Sequence, residues 1–287
     1  LLAASLWFVA RWRRRVAALL IVCALAAMMS VIALRSGVEW PLGLLVRVAI
    51  TATLARSMLD AWQLRRERAR LTALFGGYVS PQVLSAILSG GLARDATRGR
   101  RDLAFLFADV RGFTELSALS PPEEVLAILN RYFAAMTPVL HAHGGTIDNF
   151  RGDGMMVIFG APNDLANPAN AAILAARAMF ARLPELNREF ARERIAPLAI
   201  GVSLAGGSAV VGNVGSSERY NYTAIGDAAN VAARLQDLTK TSGFPLVAAA
   251  SLVARASGDA SLYWTALGHF DVRGRDGEDV CGWRPAS

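Results

Sequence analysis

The stretch FLFADVRGFT, Phe105 to Thr114, decides how this chain is read. Its first half is a short apolar run of the kind that forms a buried β-strand. The run ends on Asp109, and Val-Arg-Gly-Phe-Thr follows. An Asp-x-x-Gly turn accounts for that pattern, since both residue types favour turns. A second account is that the strand delivers a carboxylate to the edge of a sheet for chemistry. The flanking elements and a second carboxylate bear on the choice.

Working outward, Leu103 to Ala108 reads as a strand, and the charged stretch Ala93 to Asp102 before it as a solvated linker. Ser120-Pro121-Pro122-Glu123 reads as a helix start, with Ser120 and Glu123 as a capping box and Pro121 at the first helical position. That helix runs to about His143 and stops at Gly144-Gly145. Thr146 to Phe150 and Met155 to Phe159 are short strands joined through Arg151-Gly152-Asp153-Gly154, where Asp-Gly signals a hairpin. Asn167-Pro168 opens an alanine-rich helix to about Phe190. Strands near Leu198–Leu204 and Ser208–Val214 follow, with Leu204-Ala205-Gly206-Gly207 as the turn between them. Tyr220 to Ala224 leads into a helix from Asp227 to about Lys240, and strand-rich residues 245–249, 261–272 and 279–283 close the domain. Strands and helices alternate with hairpins among them, which predicts an α+β domain with a mixed or antiparallel sheet.

Asp153 sits in the hairpin much as Asp109 sits at its strand end. If these strands are neighbours, both carboxylates project from one edge into one cleft. Two carboxylates there repel and shift each other's pKa, and a hard divalent cation such as Mg²⁺ or Mn²⁺ relieves this. Taken alone, each aspartate reads as a turn residue; paired, they favour metal. Gly112, Phe113 and Thr114 lie where a turn enters a helix, so their amides can converge on an anion. A plain helix start bonded to water is the alternative. Asn230 and Arg234, four apart, share a helix face. That face suits a polyphosphate, and equally a solvated surface.

FLFADVRGFTELS, GGTIDNFRGDGMMVIFGAP and YNYTAIGDAANVAARL, in this order, resemble the class III nucleotidyl cyclase catalytic domain over about Leu103 to Trp283. The resemblance implies a ferredoxin-like βαββαβ palm. It also implies conversion of ATP to 3′,5′-cyclic AMP and pyrophosphate, with two Mg²⁺ or Mn²⁺ ions per site held by Asp109, Asp153 and the Val110 carbonyl. Asn230 would orient the ribose and Arg234 would stabilise charge on the α-phosphate. Sites form between the two chains of a homodimer, so a monomer is expected to be inactive. Arg219 and Arg273 align with phosphate-binding positions. The base-reading position, commonly lysine, is Asn149 here, and its partner is Thr223. Asn offers both a donor and an acceptor, so GTP stays open beside ATP. A dimeric signalling protein without turnover is the reading from another class. A diguanylate cyclase is rejected, because no Gly-Gly-Asp/Glu-Glu-Phe hairpin is present.

The chain has 287 residues, a formal charge of +7 and 54% hydrophobic residues. Most of the apolar surplus lies before residue 62. Val16 to Leu34 runs nineteen residues without a charge, long enough to cross a bilayer as a helix. A second candidate, about Val38 to Leu59, carries Arg47, which costs about 2.5–3.5 kcal/mol at mid-membrane unless partnered. Leu1 to Ala10 reads as the tail of a further span. The region lacks the layout of a signal peptide. Basic clusters at Arg11–Arg15 and Arg65–Arg70 are expected on the cytoplasmic side. The reading is therefore membrane helices over 1–59, a transducing helix and linker over 60–102, and a cytoplasmic catalytic domain over 103–287, at the inner cell membrane. LFGGYVSPQVLSAIL resembles the transducing element before bacterial cyclases. The spans resemble membrane sensor cyclases whose extracellular CHASE-type domain is absent from this sequence. Nucleic-acid binding is not expected, since no aromatic-interleaved basic patch occurs. Cys23 and Cys281 support neither a disulfide framework nor a metal motif.

Overall fold

The computed structural model describes residue 35, residues 51–53 and 55–66, and residues 99–216, 220–271 and 277–285. The chain divides into two compact units, Leu1–Val79 with Ile87–Gly91, and Ser80–Ala86 with Leu92–Ser287. In the first, residues 55–66 are helical with no break at Asp60. Arg56 pairs with Asp60 at 3.4 Å, one turn on. The spans expected over 1–10 and 16–34 lie outside the described residues, as does most of 38–59. Among the described residues no helix is long and apolar enough to cross a membrane. The transducing stretch from Leu74 to Leu88 also lies outside them.

The second unit runs β1 (Gly99–Val110), α1 (Phe113–Leu119), α2 (Pro122–Ala142), β2 (Gly145–Arg151), β3 (Gly154–Phe159), α3 (Pro168–Arg192), β4 (Ile200–Gly215), β5 (Tyr220–Ile225), α4 (Asp227–Thr241), β6 (Leu246–Ala249), α5 (Ala250–Val253), β7 (Thr265–Phe270) and β8 (Glu278–Trp283). One sheet has the order β2-β3-β1-β4-β6-β8-β7, with β5 beside β4. All pairings are antiparallel except β4 with β6. The block β2-β3-β1-β4, with helical crossovers, is the ferredoxin-like split βαβ arrangement. The α+β palm read from the sequence is the fold observed.

Leu103, Ala104, Phe105 and Leu106 are all fully buried. Successive strand residues face opposite sides, so both faces of β1 are covered. On the side of Asp109, α4 lies against β4, where the Ser203 hydroxyl donates to the Ala232 carbonyl at 2.7 Å. On the other side lies α2, with α3 alongside it. The buried residues of α2, Val125, Ile128, Tyr132, Met136 and Leu140, recur every three or four positions and form one apolar stripe. Asn167 caps α3, its side chain accepting from the Asn170 amide at 3.0 Å.

Four sequence expectations change. The domain's first strand starts at Gly99 rather than Leu103, because β4 is long enough for its Ser208–Val211 to pair with Gly99–Asp102. The linker therefore ends sooner than expected. The turn expected at Leu204–Gly207 does not exist, since β4 runs unbroken through it. Gly206 serves close packing instead: a Cβ there would stand 2.9 Å from Leu252 Cδ1 and 3.2 Å from the Leu103 carbonyl. The capping box is not formed. Ser120 closes α1, and α2 starts one residue later than expected, at Pro122, with Pro121 before it and no side-chain cap. Finally, the β2–β3 turn is Gly152-Asp153, with Gly152 at φ +58°. Positive φ at the first turn position is what Gly supplies there, so Asp153 stands at the tip itself.

Candidate active site

Asp109 is the penultimate residue of β1, and Asp153 is at the tip of the hairpin that ends in β3, the strand next to β1. Ala108 pairs with Met155. One step on, Gly154 lies beside Asp109, where a Cβ would come within 3.4 Å of the Asp109 carboxylate. The two carboxylates meet as the sequence predicted. Burial, then a hydrogen bond with Asp153 and its charge, push Asp109 from its ordinary 3.8 up to about 6. Lys240 and the Val110 amide pull the other way. Beneath them, the Tyr132 hydroxyl is fully buried and has no partner among the described residues. Burial first, and then the charges of Asp109 and Asp153, disfavour its ionisation.

These two carboxylates fit a divalent cation, because they are forced together at a cost that only a proton or a metal removes. Among the described residues no group of three or more His, Cys, Asp or Glu could hold one. Further oxygen ligands would come from the Val110 carbonyl and from a bound phosphate. Gly112, at φ +69°, opens α1 without a side-chain cap. The amides of Gly112, Phe113 and Thr114 therefore lie at an uncapped helix start three to five residues past Asp109.

A second set gathers elsewhere. Asn149, Thr223 and Asn230 line a cleft of about 330 Å³ together with Phe107 and Met156. Arg234 is exposed on α4, one turn beyond Asn230. Asp109, Asp153 and Arg234 do not line this cleft. Arg219 and Arg273 lie outside the described residues.

The separation between the two sets has a simple measure. Asp109 pairs with Gly201, where a Cβ would collide with the Thr239 side chain. Arg111, two residues past Asp109, donates to the Thr239 carbonyl. The aspartate pair thus sits at the C-terminal end of α4. Asn230 lies nine residues earlier, about 14 Å along the helix axis. Arg111 was missed in the sequence, as its tie to Thr239 spans distant segments. Asp148 was missed too, and strand alternation gave no reason to turn it into the cleft with Asn149.

The carboxylate pair thus stands at one edge of the palm sheet, apart from the cleft that Asn149, Thr223 and Asn230 line. The chain belongs to the family described as the adenylate and guanylate cyclase catalytic domain, whose model matches residues 97–282. An uncharacterized protein of Mycobacterium tuberculosis is 37% identical over 212 residues, covering 74% of this chain and 37% of that protein. The match thus spans little more than a third of that relative. Among solved structures, the guanylyl cyclase Cya2 is 33% identical with a TM-score of 0.58, covering 65% of this chain and 92% of its own. The adenylyl cyclase CyaB from P. aeruginosa is 28% identical with a TM-score of 0.60, covering 66% and 97%.

Proposed function

We propose that this chain forms a homodimeric, membrane-tethered cyclase that turns a purine nucleoside triphosphate into its 3′,5′-cyclic monophosphate and pyrophosphate. The observation that carries this is the distance along α4. In one chain, Asn230 lies about 14 Å along α4 from the level of Asp109 and Asp153, too far to act on the same phosphate. A second copy related by a two-fold axis brings the α4 face of one chain to the aspartates of the other. Exposed apolar side chains at Phe150, Val210, Val214 and Ile225 supply surface for that contact.

Asp109 and Asp153 would hold two Mg²⁺ or Mn²⁺ ions, which when bound acidify the ribose 3′-hydroxyl and neutralise the triphosphate. The partner's α4 orients the ribose through its asparagine and offers its arginine to charge building on the α-phosphate. The amides from Gly112 to Thr114 hold phosphate oxygens, and attack in line expels pyrophosphate. ATP is the substrate that the wider family implies, while the similar structures include one enzyme named for each purine.

The apolar runs before residue 60 and the flanking arginines support anchoring at the inner cell membrane. They also support a cytoplasmic catalytic domain and an extracellular sensor upstream. The test is cyclic nucleotide and pyrophosphate release from ATP and GTP with Mn²⁺. Asp153→Ala should abolish turnover while its circular dichroism and dimer mass stay native. Full activity in that variant would remove the metal role.

A further inference from the structure

Among the buried polar groups that the mechanism above does not use is the hydroxyl of Tyr132 on α2. The residue is fully buried, and its hydroxyl has no partner among the described residues. A buried donor left unpaired costs free energy. Its neighbours on the apolar stripe of α2, Val125, Ile128, Met136 and Leu140, carry no such group. Phenylalanine would fill the same space without the cost.

Packing puts this hydroxyl at the level of the aspartate pair. The Tyr132 ring lies 5.4 Å from that of Phe133, which in turn lies 4.4 Å from that of Phe150 on β2. Phe150 pairs with Met155, and Met155 with Ala108. That row stands one residue before Asp109 on β1 and two residues after Asp153 on the hairpin. The charges of both aspartates accordingly bear on the hydroxyl. While Asp109 and Asp153 hydrogen-bond to each other, they satisfy one another and the hydroxyl is left over. When the pair instead ligates a divalent cation, both carboxylates are ionised and can only accept hydrogen bonds. Ligating carboxylates are held in orientation by donors outside the ligand shell, and Tyr132 supplies one.

We propose that Tyr132 is a positioning residue for the metal: its buried hydroxyl donates to the Asp109–Asp153 pair once that pair holds a divalent cation, and so fixes the carboxylates from behind. The inference rests on the metal role given to this pair in the cyclase reading. It needs no substrate to reach the hydroxyl, which stays covered.

The experiment compares the full native chain with Tyr132→Phe, which removes the hydroxyl and keeps the ring. Mn²⁺ alone is titrated, with binding followed by loss of the free-ion electron paramagnetic resonance signal. Denaturation midpoints are measured without metal. The substitution should weaken Mn²⁺ binding about tenfold or more, the scale set by losing a donor behind a metal ligand. Metal-free stability should stay native or rise, because an unpaired buried donor has gone. Cyclic nucleotide formation should need correspondingly more Mn²⁺ and return toward the native rate at saturation. Met136→Leu, one turn along the same stripe, changes packing and no hydrogen-bonding group, so its Mn²⁺ affinity should remain native. A packing role alone gives the reverse pattern, with lower metal-free stability and unchanged Mn²⁺ affinity in Tyr132→Phe, and that result overturns the proposal. An equal loss of affinity in Met136→Leu overturns it as well, as does a native chain that binds no Mn²⁺. Hydroxyl-dependent Mn²⁺ binding with no product from ATP or GTP sustains it while removing the cyclase reading. Product formation whose Mn²⁺ dependence is untouched by Tyr132→Phe does the opposite.

Discussion

The sharpest prediction concerns two chains that are each defective in a different half of the site. Asp153→Ala removes a carboxylate from the β2–β3 turn, and Asn230→Ala removes the amide on α4. If each site takes its aspartates from one chain and its asparagine from the other, either variant alone has two broken sites per dimer. Loss of a positioned polar group of this kind costs about 10²–10³ in rate. Mixed one to one with free exchange, half of the dimers contain both variants. In each of those, one site collects both lesions and the other collects none. Half of the dimers with half of their sites intact gives about one quarter of native activity per total protein. The assay is cyclic nucleotide formation after co-expression or subunit exchange, with dimer mass measured in the same samples. A mixture no more active than its parents, with heterodimers present, would refute the argument from the 14 Å separation along α4. It would mean that Asn230 serves the aspartates of its own chain.

Two further outcomes follow from the packing and the charges. Gly201→Ala places a Cβ 2.3 Å from Thr239 Oγ1, so it should push α4 off β4 and cost about 1–3 kcal/mol. Chemical denaturation would read this, and an unchanged midpoint would contradict it. Asp109 keeps, in the folded chain, a proton that the unfolded chain releases near 3.8. More protons are bound when folded, so metal-free stability should fall as pH rises from about 4 and level off above about 6. Mn²⁺ needs the ionised pair, so the melting shift it produces should be larger at neutral pH than below 6. A shift of equal size on both sides of that value would place the metal elsewhere.

What the sequence determined by itself is a matter of local chemistry. An apolar run ending on Asp109, the turn that carries Asp153, the Asn167 cap and the four-residue spacing of Asn230 and Arg234 are all written within a few positions of one another. Periods of two and near four, and the demands of turns, act over such distances and can be read without a fold. Where a turn or cap had a neighbour competing for it, the reading slipped. Ser120 went to the end of α1, and Gly152 rather than Gly154 took the positive φ. Gly206 and Gly207 looked like a break because small residues mark turns. Gly206 is small because Leu252 and β1 press on it, which only packing reveals. The tertiary structure alone decided how the site is divided. Asp109 meets Asp153 through strand pairing and meets Thr239 through the seat of α4 on β4, and that fixes Asn230 far from both. It decided which side chains share the cleft as well. Asp148 and Asn149 line it side by side because the β2–β3 pairing slips between Ile147 and Asn149, and that register belongs to both strands together.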